Sequence, residues 1–140
     1  MGRGRGIAGR CRVRRVLAGI AACGLVAVAW ADSAWFVVGE SAAERVEVNL
    51  ASLERQGDVV SFRQRRTLLG GQIDANTQRP LREVLEKRLL DCRKRRVATR
   101  SRAVFDVDDA LIDHQAVRGG ALPWQPLAPG DALARKLCGS

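Results

Sequence analysis

Residues 16–30 run for fifteen positions without a charge, and this run decides which part of the chain is left to fold. It follows an arm, residues 1–15, that carries Arg3, Arg5, Arg10, Arg12, Arg14 and Arg15 and no acid. It ends in Ala29-Trp30-Ala31, with small residues at both positions a signal peptidase reads, and Asp32 comes next. A basic segment, a short apolar segment and an A-x-A site together make an export signal. The run falls short of the ~20 apolar residues that span a bilayer. The expectation is a cleaved signal peptide at 1–31 and one domain at 32–140, with no transmembrane segment in the mature form. The location would be the periplasm or the outer cell surface. Ile20-Ala21-Ala22-Cys23 also resembles a lipobox with Cys23 as the acylated residue. The tether it would leave, Gly-Leu-Val-Ala-Val, is apolar where a lipoprotein tether is polar and flexible. Arg14-Arg15 with Val16-Leu17 is a fragment of a twin-arginine motif.

The arm also explains the charge. The chain has 24 basic and 15 acidic residues, a formal +9, but from Asp32 onward there are 18 basic and 15 acidic, or +3. The headline charge is therefore not a nucleic-acid footprint. Nucleic-acid binding needs a basic patch interleaved with stacking aromatics, and the two Trp and three Phe after Ala31 do not interleave with the arginines. An apolar content of 46% supports a core and excludes wholesale disorder.

Export also sorts the cysteines. Cys11 and Cys23 leave with the signal, and Cys92 and Cys138 remain in an oxidising compartment, where a pair is expected to bridge. A loop of that length is worth on the order of 4 kcal/mol in the chain-entropy model. The alternative, a metal site with His114, has too few ligands for structural zinc and matches no finger spacing. No metal and no cofactor are expected.

Residues 34–38 are β-prone, and residues 44–50 alternate, with Val46, Val48 and Leu50 on one side and Arg45, Glu47 and Asn49 on the other. A turn at 55–58 leads to a strand over 59–67, with Val60 and Phe62 facing in and Arg63 and Arg65 facing out. Residues 70–80 carry turn formers and read as a loop. Residues 81–90 space Leu81, Val84, Leu85 and Leu89 as a helix would and are good helix formers. Segments 87–100 and 102–107 look like a hairpin, 106–109 is an acidic turn, and 111–117 is a last strand. Residues 123–129 are extended. A helix then opens at 127–131, with Pro129 suited to a first turn, Asp131 near the positive end of the dipole, and Arg135 and Lys136 in the last turn. Ala132, Leu133 and Leu137 give it an apolar stripe. Cys138 would staple this helix to the strand of Cys92.

The densest charge is Arg93-Lys94-Arg95-Arg96. Read as a strand, it puts Arg93 and Arg95 on one face and Lys94 and Arg96 on the other, and Arg63 and Arg65 could extend one of these into a patch. Such a patch, Arg63, Arg65, Arg93, Arg95 and Arg96, would take an anionic partner: a sulfated glycan, an acidic host protein or lipopolysaccharide phosphate. The plainer reading is a solvated face that discourages edge pairing. Trp35, Phe62 and Trp124 read as structural core. Asp106, Asp108, Asp109 and Asp113 do not form an EF-hand, whose sixth and twelfth positions fall here on Leu111 and Val117. His114 is the single histidine; no serine elbow accompanies it and no catalytic residues are assigned. Gly4, Gly6 and Gly9 match G-x-G-x-x-G but follow no strand.

The chain resembles the surface-adhesin protein E-like family of Gram-negative bacteria over about residues 34–139. The resemblance rests on Trp35 opening the first strand, the 46–50 strand with Ala51-Ser52-Leu53, and the basic Val60-Ser-Phe-Arg-Gln-Arg strand. It is most specific in Asp91-Cys92 with its basic tail and in Trp124-Gln-Pro-Leu-Ala-Pro-Gly-Asp with Leu137-Cys138. The resemblance implies an α+β fold: a single antiparallel β-sheet of about five to six strands with a C-terminal α-helix tethered to it by a disulfide. It implies that Leu81–Leu90 is mainly strand, against its propensity; we follow it after Glu86 and leave 81–85 open between helix and strand. It also implies a non-enzymatic, adhesin-like binding module of the cell envelope, whose partner could be a host matrix protein or an anionic glycan. A periplasmic accessory protein with no host ligand is the alternative. The sequence departs from the family in having no tyrosine. An exposed strand edge makes a homodimer plausible.

Overall fold

The computed structural model describes residues 34–139. The expected export signal, its expected cleavage site and Cys23 lie outside the described residues. Six strands follow one another in the sheet in chain order: β1 (Trp35–Glu40), β2 (Glu44–Gln56), β3 (Val59–Leu68), β4 (Leu81–Asp91), β5 (Arg96–Asp106) and β6 (Leu111–Ala116). All pairings are antiparallel. A two-residue strand, β7 (Gln125–Pro126), pairs with Arg96 and Val97 on the edge of β5 not taken by β4. The chain closes with a helix, α1 (Ala132–Leu137). The sheet thus has six to seven strands, somewhat more than the sequence indicated. Among the described residues no helix is long and apolar enough to cross a membrane.

The turns form where the residues allow them. Gly57 takes a φ of 59° between β2 and β3, a region open to glycine without a Cβ clash. Asp131 caps α1: its Oδ1 accepts from the Leu133 and Ala134 amides at 2.9 and 3.1 Å. Pro129 lies before this cap rather than in the first turn. The buried side of α1 is Leu133, Ala134 and Leu137. Ala132, expected in that stripe, is exposed.

Period two sets which side chains meet. Val48, Phe62, Leu90 and Val97 share one sheet face and pack with Leu133 and Leu137. Cys92 and Cys138 close this core with a disulfide, their Cα atoms 5.5 Å apart. Leu68, Val84 and Val104 make a second cluster on the same face.

Residues 81–90 are strand throughout, against their helical spacing. Flanked by β3 and β5, the segment satisfies its backbone groups on both sides, and tertiary pairing overrides a propensity of a few tenths of a kcal/mol per residue. The hairpin turn falls at residues 92–95, so Arg93, Lys94 and Arg95 sit in the turn and not on a strand. The expectation that they alternate across two faces is therefore corrected.

Candidate functional site

The face away from α1 is set by the odd positions of β3. Arg65 lies beside Glu47 of β2 and Leu85 of β4; Arg63 lies beside Asn49 and Lys87. Trp35 comes onto this face from β1, opposite Asn49. The Arg65 guanidinium stacks 4.4 Å from the Trp35 ring centroid, and its Nε donates to Glu47 Oε2 at 2.9 Å. Glu47 is 7% exposed. A buried carboxylate needs a partner, and Arg65 supplies it while covering the indole.

Arg63 and Lys87 are differently placed. They stand directly opposite each other across the β3–β4 ladder, both are exposed, and neither has an ion-pair partner among the described residues. Like charges directly opposed on one face are unfavourable. Beyond them Leu85, Ala103, Ser101 and His114 continue a shallow groove of about 290 Å³ that Trp35 closes on the other side. Ser101 and His114 share this groove, but no hydrogen bond joins them.

The remaining arginines of the expected patch are elsewhere. Arg96 stacks 4.6 Å from the Trp124 ring centroid and donates to Asp91 at 3.2 Å. Arg93 and Arg95 are exposed in the turn. The five arginines therefore do not form one patch. Two of them hold the two tryptophans in place, one faces the open sheet, and two belong to the hairpin end. Of the three aromatic positions read as core, Phe62 is in the main cluster at 1% exposure. Trp35 and Trp124 stand outside it, each half-buried under an arginine that an acid neutralises.

The sequence reading missed Lys87, Leu85 and the groove. Their adjacency to Arg63 depends on the β3–β4 register, which the helical spacing of 81–90 concealed. It also missed a polar belt on the helix face. There Gln64 donates to Glu86 at 3.1 Å and accepts from Arg88 at 3.0 Å, and Arg66 forks onto Glu44 at 3.0 and 2.7 Å. The belt floors a cleft of about 580 Å³ roofed by residues 125–128 and the start of α1. Burial pushes the Arg88 guanidinium below its ordinary pKa, and its Nε is buried with no acceptor. The other polar groups of this floor bond to one another in two sets, Gln64 with Glu86 and Arg88, and Arg66 with Glu44. Among the described residues no group of three or more His, Cys, Asp or Glu is placed to hold a metal ion.

No known family model matches the chain, and no curated protein sequence matches it. Among solved structures it is similar to that of Haemophilus influenzae protein E, with a TM-score of 0.52 and 16% identity over 76% of this chain and 84% of that one. The crystal structure of protein E from non-typeable Haemophilus influenzae aligns with a TM-score of 0.46 and 13% identity, over 72% of this chain and 74% of that one. The chain has a protein E-like fold. Within it, the groove lies on the sheet face opposite the tethered helix, so the helix and disulfide stabilise one face and leave the other open.

Proposed function

We propose that the chain is a non-catalytic, adhesin-like binding module of the bacterial cell envelope, and that it docks an acidic host-protein surface on its open sheet face. The observation that carries this reading is the uncompensated pair Arg63–Lys87 beside the Trp35–Arg65 stack. Folding alone gains nothing from setting two cations opposite each other, and a partner's carboxylates would relieve the repulsion. A shallow face with arginines on its central strand and an aromatic at its rim has the composition of a protein interface. The export signal and the protein E-like fold support an envelope location. The open edges of β1 and β6 support a homodimer through strand pairing. Both cysteines are held in the disulfide and are not free as nucleophiles.

The test is binding of the mature chain to immobilised extracellular-matrix proteins, with and without R63E and K87E together. Charge reversal should lower affinity at least about tenfold while leaving the fold intact, because two desolvated charge contacts are worth several kcal/mol across an interface. Unchanged affinity would overturn the assignment of this face. Protease shaving of intact cells settles location separately: loss of the chain without lysis supports surface display. Full protection with release by osmotic shock would overturn it in favour of a periplasmic accessory protein.

A further inference from the structure

The turn at residues 92–95 is a second basic feature, remote from the sheet-face groove. It presents Arg93, Lys94 and Arg95 in succession, all exposed. Arg95 has a φ of 48°, a left-handed conformation that Gly or Asn adopts more readily than a longer side chain. The backbone there favours glycine, yet the position holds a cation.

The turn is also fixed in place. Cys92 is tied to Cys138, and its amide donates to the Asp58 carbonyl at 2.9 Å. The Lys94 amide donates to the Asp91 carboxylate at 2.9 Å, and the Arg95 carbonyl accepts from the Leu127 amide at 2.9 Å. A fourth cation joins this end of the sheet: Arg55 donates to the Leu137 carbonyl at 2.8 Å, at the C-terminus of α1.

The nearby acids do not neutralise the group. Asp91 is occupied by the Lys94 amide and Arg96. Asp58 approaches Arg93 only to 4.0 Å, with both side chains largely exposed. Lys94 and Arg95 have no ion-pair partner among the described residues. Three cations on an anchored turn, with Arg55 at the same end of the sheet, make an anion site whose backbone need not reorder on binding.

We propose that this pole binds a sulfated polysaccharide. An arginine fork donates to two oxygens of a tetrahedral sulfate group as it does to phosphate, and a linear polyanion releases counterions as the cations engage it. The turn has no unoccupied aromatic to stack a base, since Trp124 is covered by Arg96. It also lacks an apolar flank for membrane insertion: the most exposed apolar residues, Leu69, Ile73, Val107 and Leu111, lie at the opposite end of the strands. The site does not depend on the sheet-face reading, because it shares neither residues nor partner with it.

The experiment measures binding of the mature, oxidised chain to a heparin oligosaccharide as a function of NaCl concentration. Changing Arg93, Lys94 and Arg95 together to Ser should weaken binding at least about tenfold and flatten the slope of log K against log salt by about two to three. R63S with K87S should leave both unchanged. Fully desulfated heparin should not bind. R95G is a control for folding: it should weaken binding and raise the melting temperature, because it removes the left-handed strain. Full binding by the triple Ser variant, loss confined to R63S/K87S, or equal binding of desulfated heparin would each overturn the proposal.

Discussion

On β3, Val60, Phe62, Gln64, Arg66 and Leu68 point toward α1, whereas Ser61, Arg63, Arg65 and Thr67 point the other way, and the two sets meet their polar demands differently. On the helix face the apolar residues are buried and the polar ones bond to one another, Gln64 with Glu86 and Arg88, and Arg66 with Glu44. On the open face Arg65 is neutralised by Glu47 and stacked on Trp35, while Arg63 and Lys87 stand uncompensated. Stability and the proposed recognition are thus separated across the thickness of one strand. Adjacent residues should therefore give opposite phenotypes.

The sharpest contrast is between Phe62 and Arg63. Phe62 packs against Leu90 and α1 with 1% of its surface exposed, so F62A should cost roughly 3–5 kcal/mol through lost transfer free energy and a cavity. That is a large share of the roughly 5–15 kcal/mol available to a small domain. R63S should move stability by no more than about 0.5 kcal/mol while reducing partner binding. Urea midpoints at unchanged slope decide this. Equal destabilisation by the two substitutions would break the division between faces.

The disulfide belongs to the helix face, and its removal should have the next largest effect. Replacing Cys92 and Cys138 together by Ser opens a loop with a sequence separation of 46 and should cost about 4 kcal/mol in the chain-entropy model. The six-residue α1 is too short to persist without packing. Amide exchange in Leu133–Leu137 should therefore rise more than exchange in β3. A loss below about 1 kcal/mol would show that Leu133 and Leu137 hold the helix without the tether.

Much of this was legible in the residues. The alternation in 44–50 and 59–67 marked two strands and placed Phe62 and Arg63 on opposite sides. The two cysteines outside the expected signal indicated their own pairing. What was hidden depended on register and on context. Leu81, Val84, Leu85 and Leu89 fit a helical stripe, and only β3 and β5 on either side make the segment a strand. Once it is a strand, Lys87 faces Arg63 and the groove appears. The turn at 92–95 was also obscured: it contains no glycine, and the left-handed position is filled by Arg95, so four basic residues in a row looked like strand. The tryptophans looked like core because aromatic size carries no information about a stacked arginine.

The smallest expected effect tests how firmly the basic pole is built. Asp91 is 5% exposed at the end of β4. Its carboxyl is held below the ordinary carboxylate range, chiefly by the Lys94 amide and next by Arg96, while burial acts in the opposite direction. A depressed folded-state pKa means folding favours the ionised form. The resulting stability is fully present above the unfolded value, near 4, and is lost as pH falls through the lower folded value. D91N keeps an acceptor for the Lys94 amide and removes the charge. Wild type should be the more stable of the two at pH 7, and the gap should narrow as pH drops below about 4. Asp74, also depressed by its Thr77 hydrogen bonds, acts equally in both proteins and cancels from the difference. A gap that stays constant from neutral pH to about 2 would mean that the carboxylate charge does not hold the turn. The turn would then rest on the disulfide and on its backbone hydrogen bonds to Asp58 and Leu127, and charge would play no part in building that end of the sheet.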